Sequence, residues 1–106
     1  MIYELLKSGA ENGKRRELLM IEAGISNERA FRDQVRKERK EGKAILSSSA
    51  HTGFYKPSKD SIQAADEISA FVRECYSRAN EIIKIANAIN KNKEHYIFGD
   101  DSDEII

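Results

Sequence analysis

A chain of 106 residues with 40% hydrophobic content is expected to form one small domain with an appended element. Its 18 basic and 18 acidic side chains cancel overall, but residues 1–59 hold 13 Lys and Arg against 8 Asp and Glu (+5), and residues 60–106 hold 5 against 10 (−5). A single cysteine, Cys75, excludes an internal disulfide framework, and no apolar run suits a membrane span or a secretion signal, so a cytoplasmic protein is predicted.

In chain order, Ile2, Leu5 and Leu6 predict a short amphipathic helix, closed by the turn pairs Ser8-Gly9 and Asn12-Gly13. Lys14 to Ala23 predict a second helix with Leu18, Leu19 and Ala23 turned inward. Gly24 supplies the left-handed conformation that ends it, and Ser26 is the expected N-cap of a third helix. That helix is expected to close at Gly42. Ala44–Ser49 read as a strand, Ala50–Gly53 as a polar tip and Gly53–Lys56 as the returning strand, which Pro57 stops. By alternation, one of Phe54 and Tyr55 is expected in the core and the other outside.

The third helix carries the strongest chemical signal. At 100° per residue, Phe31 and Val35 share one face, and Arg29, Arg32, Arg36, Lys40 and Lys43 gather on the opposite one. Across residues 26–43, seven basic side chains (Arg39 among them) stand against the acidic Glu28, Asp33, Glu38 and Glu41. Pairs such as Glu28–Arg32 and Asp33–Lys37 would make an ordinary solvated face. Left unpaired, the cations would suit a duplex groove lined with phosphates.

Helix, helix, turn, helix, hairpin is the order of a winged helix-turn-helix. The chain resembles that DNA-binding superfamily, and more narrowly the small proteins of this type encoded in bacteriophages and prophages of Gram-positive bacteria. The resemblance is carried by Lys14-Arg15, by Gly24-Ile25-Ser26 and by Arg32 with Val35-Arg36. It extends through Ala44-Ile45-Leu46-Ser47-Ser48-Ser49 and Gly53-Phe54-Tyr55 to Pro57, then to Phe71-Val72-Arg73 and Ser77-Arg78-Ala79. It implies a mainly α fold with minor β, a winged helix-turn-helix followed by one long C-terminal helix. It also implies double-stranded DNA binding in transcription or replication control. One departure is visible: the places six and nine residues after the turn glycine, apolar in a tight helix-turn-helix, hold Ala30 and Asp33, and Phe31 and Val35 are expected to take over the burial.

On this reading Asn27, Arg29 and Arg32 lie near base edges, where Arg reads guanine and Asn reads adenine. Arg36, Lys37, Lys40 and Lys43 are assigned to phosphates. Lys14, Arg15 and Arg16 are assigned to the backbone beside the start of the second helix. In the wing, Ser48, His51, Thr52 and Lys56 are the candidate contacts. The alternative is a protein-interaction module on the same scaffold, binding and modulating a host or phage protein.

From residue 58 to 92 a single long helix is predicted. Ala65, Ile68, Val72, Cys75, Ala79, Ile82, Ala86 and Ile89 recur at spacings of three and four, a heptad seam. A homodimer is expected through that seam, with Ile68, Val72, Cys75, Ala79, Ile82, Ala86 and Ile89 at the interface. Residues 93–106 read as a flexible acidic tail, in which Asp100, Asp101, Asp103 and Glu104 precede two isoleucines. Its conceivable uses are docking to a protein partner or masking the basic face. No catalysis is expected and no cofactor: His51 and His95 stand far apart, Cys75 lies on the seam, and no spacing suits zinc or a nucleotide loop.

Overall fold

The computed structural model describes residues 1–48 and 51–97, and for His51, Thr52, Glu94, His95 and Ile97 the backbone alone. The wing tip Ser49–Ala50 and the acidic run from Asp100 to Glu104 lie outside the described residues. Two 3-10 turns, Tyr3–Leu5 and Ala10–Asn12, precede α1 (Arg16–Ala23) and α2 (Glu28–Lys40). A hairpin of β1 (Leu46–Ser48) and β2 (His51–Tyr55) follows, then α3 (Ser61–Ile97). The fold is thus mainly helical with one small antiparallel sheet and a long final helix. The chain divides into two compact units, residues 1–72 and 73–106.

In the first unit, Ile2, Leu6, Leu19, Phe31, Val35 and Ile45 form one buried cluster, with Met20, Ala23, Ile25 and Phe54 packed on it. The stretch expected as a first helix is one 3-10 turn, Tyr3–Leu5, ended by the extended backbone of Leu6 (φ −81°, ψ 156°); a second 3-10 turn, Ala10–Asn12, starts after Gly9 (φ +92°). Helix α1 begins at Arg16, later than expected, because Lys14 is drawn into the sheet. Its amide donates to the carbonyl of Phe54 at 2.9 Å and its carbonyl accepts from the Phe54 amide at 2.8 Å. Leu18, expected inward, is exposed, because Leu19, Met20 and Ala23 form the face that meets the core.

Helix α1 ends as expected at Gly24 (φ +71°). The Ile25 amide reaches back to the Met20 carbonyl at 2.9 Å and the Gly24 amide to Ile21 at 3.2 Å, the paired bonds of a left-handed helix stop. The cap of α2 is Asn27 rather than the expected Ser26. Asn27 is extended, and its side-chain oxygen accepts the amides of Arg29 at 2.7 Å and Ala30 at 3.2 Å. Phe31 and Val35 are buried while Ala30 and Asp33 are exposed, so the register departing from a tight helix-turn-helix is the one adopted.

The hairpin pairs Leu46 with Tyr55 and Ser48 with His51, with an irregularity between them. Neither aromatic of the returning strand is exposed: Tyr55 is buried opposite Leu46, and Phe54 meets Phe31 edge-on at 5.6 Å. Strand alternation does send them to different neighbours, but each neighbour covers its ring. Asp60 caps α3 by accepting the Gln63 amide at 2.9 Å. The helix continues to Ile97, past the end expected near residue 92, since no Gly or Pro intervenes.

Candidate nucleic-acid interface

Helix α2 is positioned by what it buries. Phe31, Val35 and Glu38 fall at intervals of four and three, so one stripe of the helix faces the core. Glu38 is 1% exposed, a carboxylate inside a hydrophobic cluster. Its oxygens accept the amides of Ile2 at 2.8 Å and Tyr3 at 2.9 Å and the side-chain amide of Gln34 at 2.7 Å, and the Met1 ammonium lies 3.3 Å away. Burial alone would raise its pKa. The Gln34 hydrogen bond, the two backbone amides and the ammonium outweigh that and hold it down at about 2. Glu38 therefore stays ionised and fastens the amino-terminal turn to α2.

Arg39 fastens the other side. Its Nε donates to the Ile45 carbonyl at 2.8 Å, an Nη donates to the Ser47 hydroxyl at 3.4 Å, and its guanidinium lies 4.7 Å from the Phe71 ring centre. One residue thus ties α2 to the start of the hairpin and to the first part of α3. Glu67 adds a second tie, accepting the Ser58 amide at 2.7 Å and that of Ala10 at 3.4 Å.

With the inward stripe so held, the opposite face of α2 is turned to solvent. Arg29, Arg32, Lys37 and Lys40 are exposed, and their side chains make no hydrogen bond or ion pair among the described residues. Arg36 pairs with Asp33 at 3.3 Å, both more than half exposed, a contact that holds little energy and yields readily to a stronger anion. The expected pairs Glu28–Arg32 and Asp33–Lys37 do not form: Glu28 takes Arg16 and Asp33 takes Arg36. Lys43, beyond the helix end, lies near Glu4 at 3.7 Å and Glu41 at 4.0 Å.

The remaining candidates separate into engaged and open groups. Lys14 is turned back to Glu22 at 3.0 Å and is mostly covered. Arg16 bridges Glu17 and Glu28, both at 3.2 Å, which joins the start of α1 to the start of α2. Arg15 is exposed, with no partner among the described residues. Asn27 spends its oxygen on the cap. The Lys56 ammonium lies 4.6 Å from the Tyr3 ring centre, and Ser48 is half-buried in β1. His51 and Thr52 lie on β2, with only their backbone described. The structure thus brings Arg29, Arg32, Arg36, Lys37 and Lys40 together on one helix and assigns Lys14 and Arg16 to internal ties.

Sequence reasoning missed Glu38 and Arg39 as positioning residues. The signal for Glu38 was present, since it continues the spacing of Phe31 and Val35 by one helical turn. Arg39 gave no local signal, because its partners lie in the hairpin and α3.

In the second unit the described residues form α3 alone. Ile82, Ile83, Ile85 and Ile89 are each more than half exposed, and Ala79 and Ala86 are exposed between them. Among the described residues no group of three or more His, Cys, Asp or Glu is placed to hold a metal ion, and no helix is long and apolar enough to cross a membrane. Comparison with known protein families, with characterised proteins and with solved structures finds no match to this chain.

Proposed function

We propose that this protein is a winged helix-turn-helix DNA-binding factor of transcription or replication control, acting on double-stranded DNA as a homodimer. The observation that carries the reading is the outer face of α2. Five cations project there from a helix whose inner face is locked by Phe31, Val35, Glu38 and Arg39. A rigid cationic helix matches the major groove in width, and a pre-formed backbone removes the cost of ordering the helix on binding, leaving only that of the side chains. Near the amino end, Arg29 and Arg32 are the candidates for base edges. Arg36, Lys37 and Lys40, further along, are the candidates for phosphates. Arg15 extends the cationic set from α1.

The exposed seam of α3 supports the dimer. A lone helix in water gains most of its stability by burying an apolar face, and here the face that would be buried is the one exposed in a single copy. A dimer would offer two recognition helices to two half-sites.

The test is a binding titration with a labelled duplex, comparing the native chain with a variant carrying Arg32→Glu and Arg36→Glu. Both side chains are exposed, so the fold is expected to survive, as judged by circular dichroism and Tm. Affinity is expected to fall on the order of 100-fold. An unchanged affinity would remove α2 from the interface.

A further inference from the structure

The apolar patch in the second half of α3 is widened on both flanks of the seam, by Ile83 on one side and Ile85 on the other, both more than half exposed. A heptad seam is mirror-symmetric about the residue midway between its two seam positions, and here that residue is Lys84: Ile82 stands opposite Ala86, Ala79 opposite Ile89, and the flanking Ile83 opposite Ile85. Lys84 itself is three-quarters exposed and pairs with Glu81 at 3.5 Å, so the local charges lie on the side away from the patch. A helix face symmetric about one residue is self-complementary about a two-fold axis perpendicular to the helix.

We infer that two copies of α3 pair antiparallel, crossing at Lys84. This rests on the homodimer reading above and fixes its geometry. The heptad places Ala79 and Ala86 at one seam position and Ile82 and Ile89 at the other. An antiparallel pair sets unlike seam positions opposite each other, so Ala79 of one copy meets Ile89 of the other and Ile82 meets Ala86. Each layer then holds one small and one large side chain, which fills space evenly. A parallel pair in register would stack Ala on Ala and leave voids.

The flanking residues agree. In the antiparallel pair Ile83 meets its own copy on one side of the axis and Ile85 meets its own copy on the other. The widening of the apolar face at these two positions falls where the helices cross. Charge agrees as well. Lys93 of one copy comes opposite Glu74 and Cys75 of the other, whereas the parallel register would set Lys93 against Lys93. From Val72 to Tyr96, at 1.5 Å per residue, the contact runs roughly 36 Å along helices about 10 Å wide. For corrugated helix surfaces this is an accessible area near the ~800 Å² per partner of a specific interface.

Cross-linking decides the orientation. Cys75 is the only native thiol, and in the antiparallel pair it does not meet its own copy. A Cys75→Ser, Ile85→Cys variant moves the thiol to a place that does. Under mild oxidation the variant is expected to form a covalent dimer in high yield, and the native chain is expected to stay reducible monomer on a denaturing gel. Efficient cross-linking of native Cys75, with or without that of the variant, would overturn the antiparallel arrangement while leaving a dimer standing. Sedimentation of the native chain at about 100 μM separates the remaining outcomes. A dimer with neither thiol linked would overturn the crossing at Lys84, and a strict 12.0 kDa monomer would overturn the homodimer reading itself.

Discussion

Glu38 shows how a single residue sets the exposed face of α2. A carboxylate inside the core is costly unless its oxygens are satisfied, and here three hydrogen-bond donors and an ammonium satisfy them. Its folded pKa of about 2 lies below its ordinary value of 4.5. The linked stability is therefore complete above about pH 5 and is lost as pH falls toward 2, in total about 3 kcal/mol. Glu38→Gln keeps the shape but puts an amide where an anion accepted amides. The variant is expected to lose about 2–3 kcal/mol at pH 7, and the gap from the native chain is expected to shrink to roughly a quarter of that by pH 2.5. Urea unfolding at pH 7 and pH 2.5 checks both halves; a gap that persists undiminished in acid would show that Glu38 contributes through shape alone.

At the scale of elements, the hairpin depends on an approach that only glycine permits. Gly53 has φ +96°, and a Cβ there would lie 2.5 Å from the Lys14 carbonyl oxygen, in the segment that pairs with Phe54. Gly53→Ala is expected to destabilise the protein by on the order of 2–3 kcal/mol, lowering Tm by roughly 10–20 °C on the scale of small domains. A thermal melt within a few degrees of the native one would show that the Lys14–Phe54 pairing is dispensable. The same pairing marks the boundary of what the sequence makes legible. Helix α2 is readable from local signals, namely the Phe31–Val35 spacing and the glycine at 42, whereas its cap falls one residue later than Ser26, at Asn27. The start of α1 is not readable, since Lys14 is held by a strand forty residues away. The inward face of α1 was misjudged at Leu18 because an eight-residue helix gives too few turns to separate Leu18 from Leu19 by period. Within the candidate site, the residues on the outer face of α2 followed from helical geometry. That Lys14 and Arg16 are engaged by Glu22 and Glu28 depends on tertiary neighbours that no spacing rule supplies.

For the whole molecule, zero net charge conceals a basic first half and an acidic second half, so the pI of 6.7 is a poor guide to what the protein attracts. In the proposed function the tasks are separate: the first unit offers cations to the nucleic acid, and α3 brings two copies together. Its central claim is that exposed cations on α2 replace counterions on duplex phosphates. The most direct measurement is the affinity for a labelled duplex across a salt series, for the native chain and for the Arg32→Glu, Arg36→Glu variant. With about four phosphates engaged per copy, the slope of log affinity against log salt is expected near −3 to −4 per bound copy for the native chain, and clearly shallower for the variant. A native slope near zero, or the same slope in both proteins, would contradict the account.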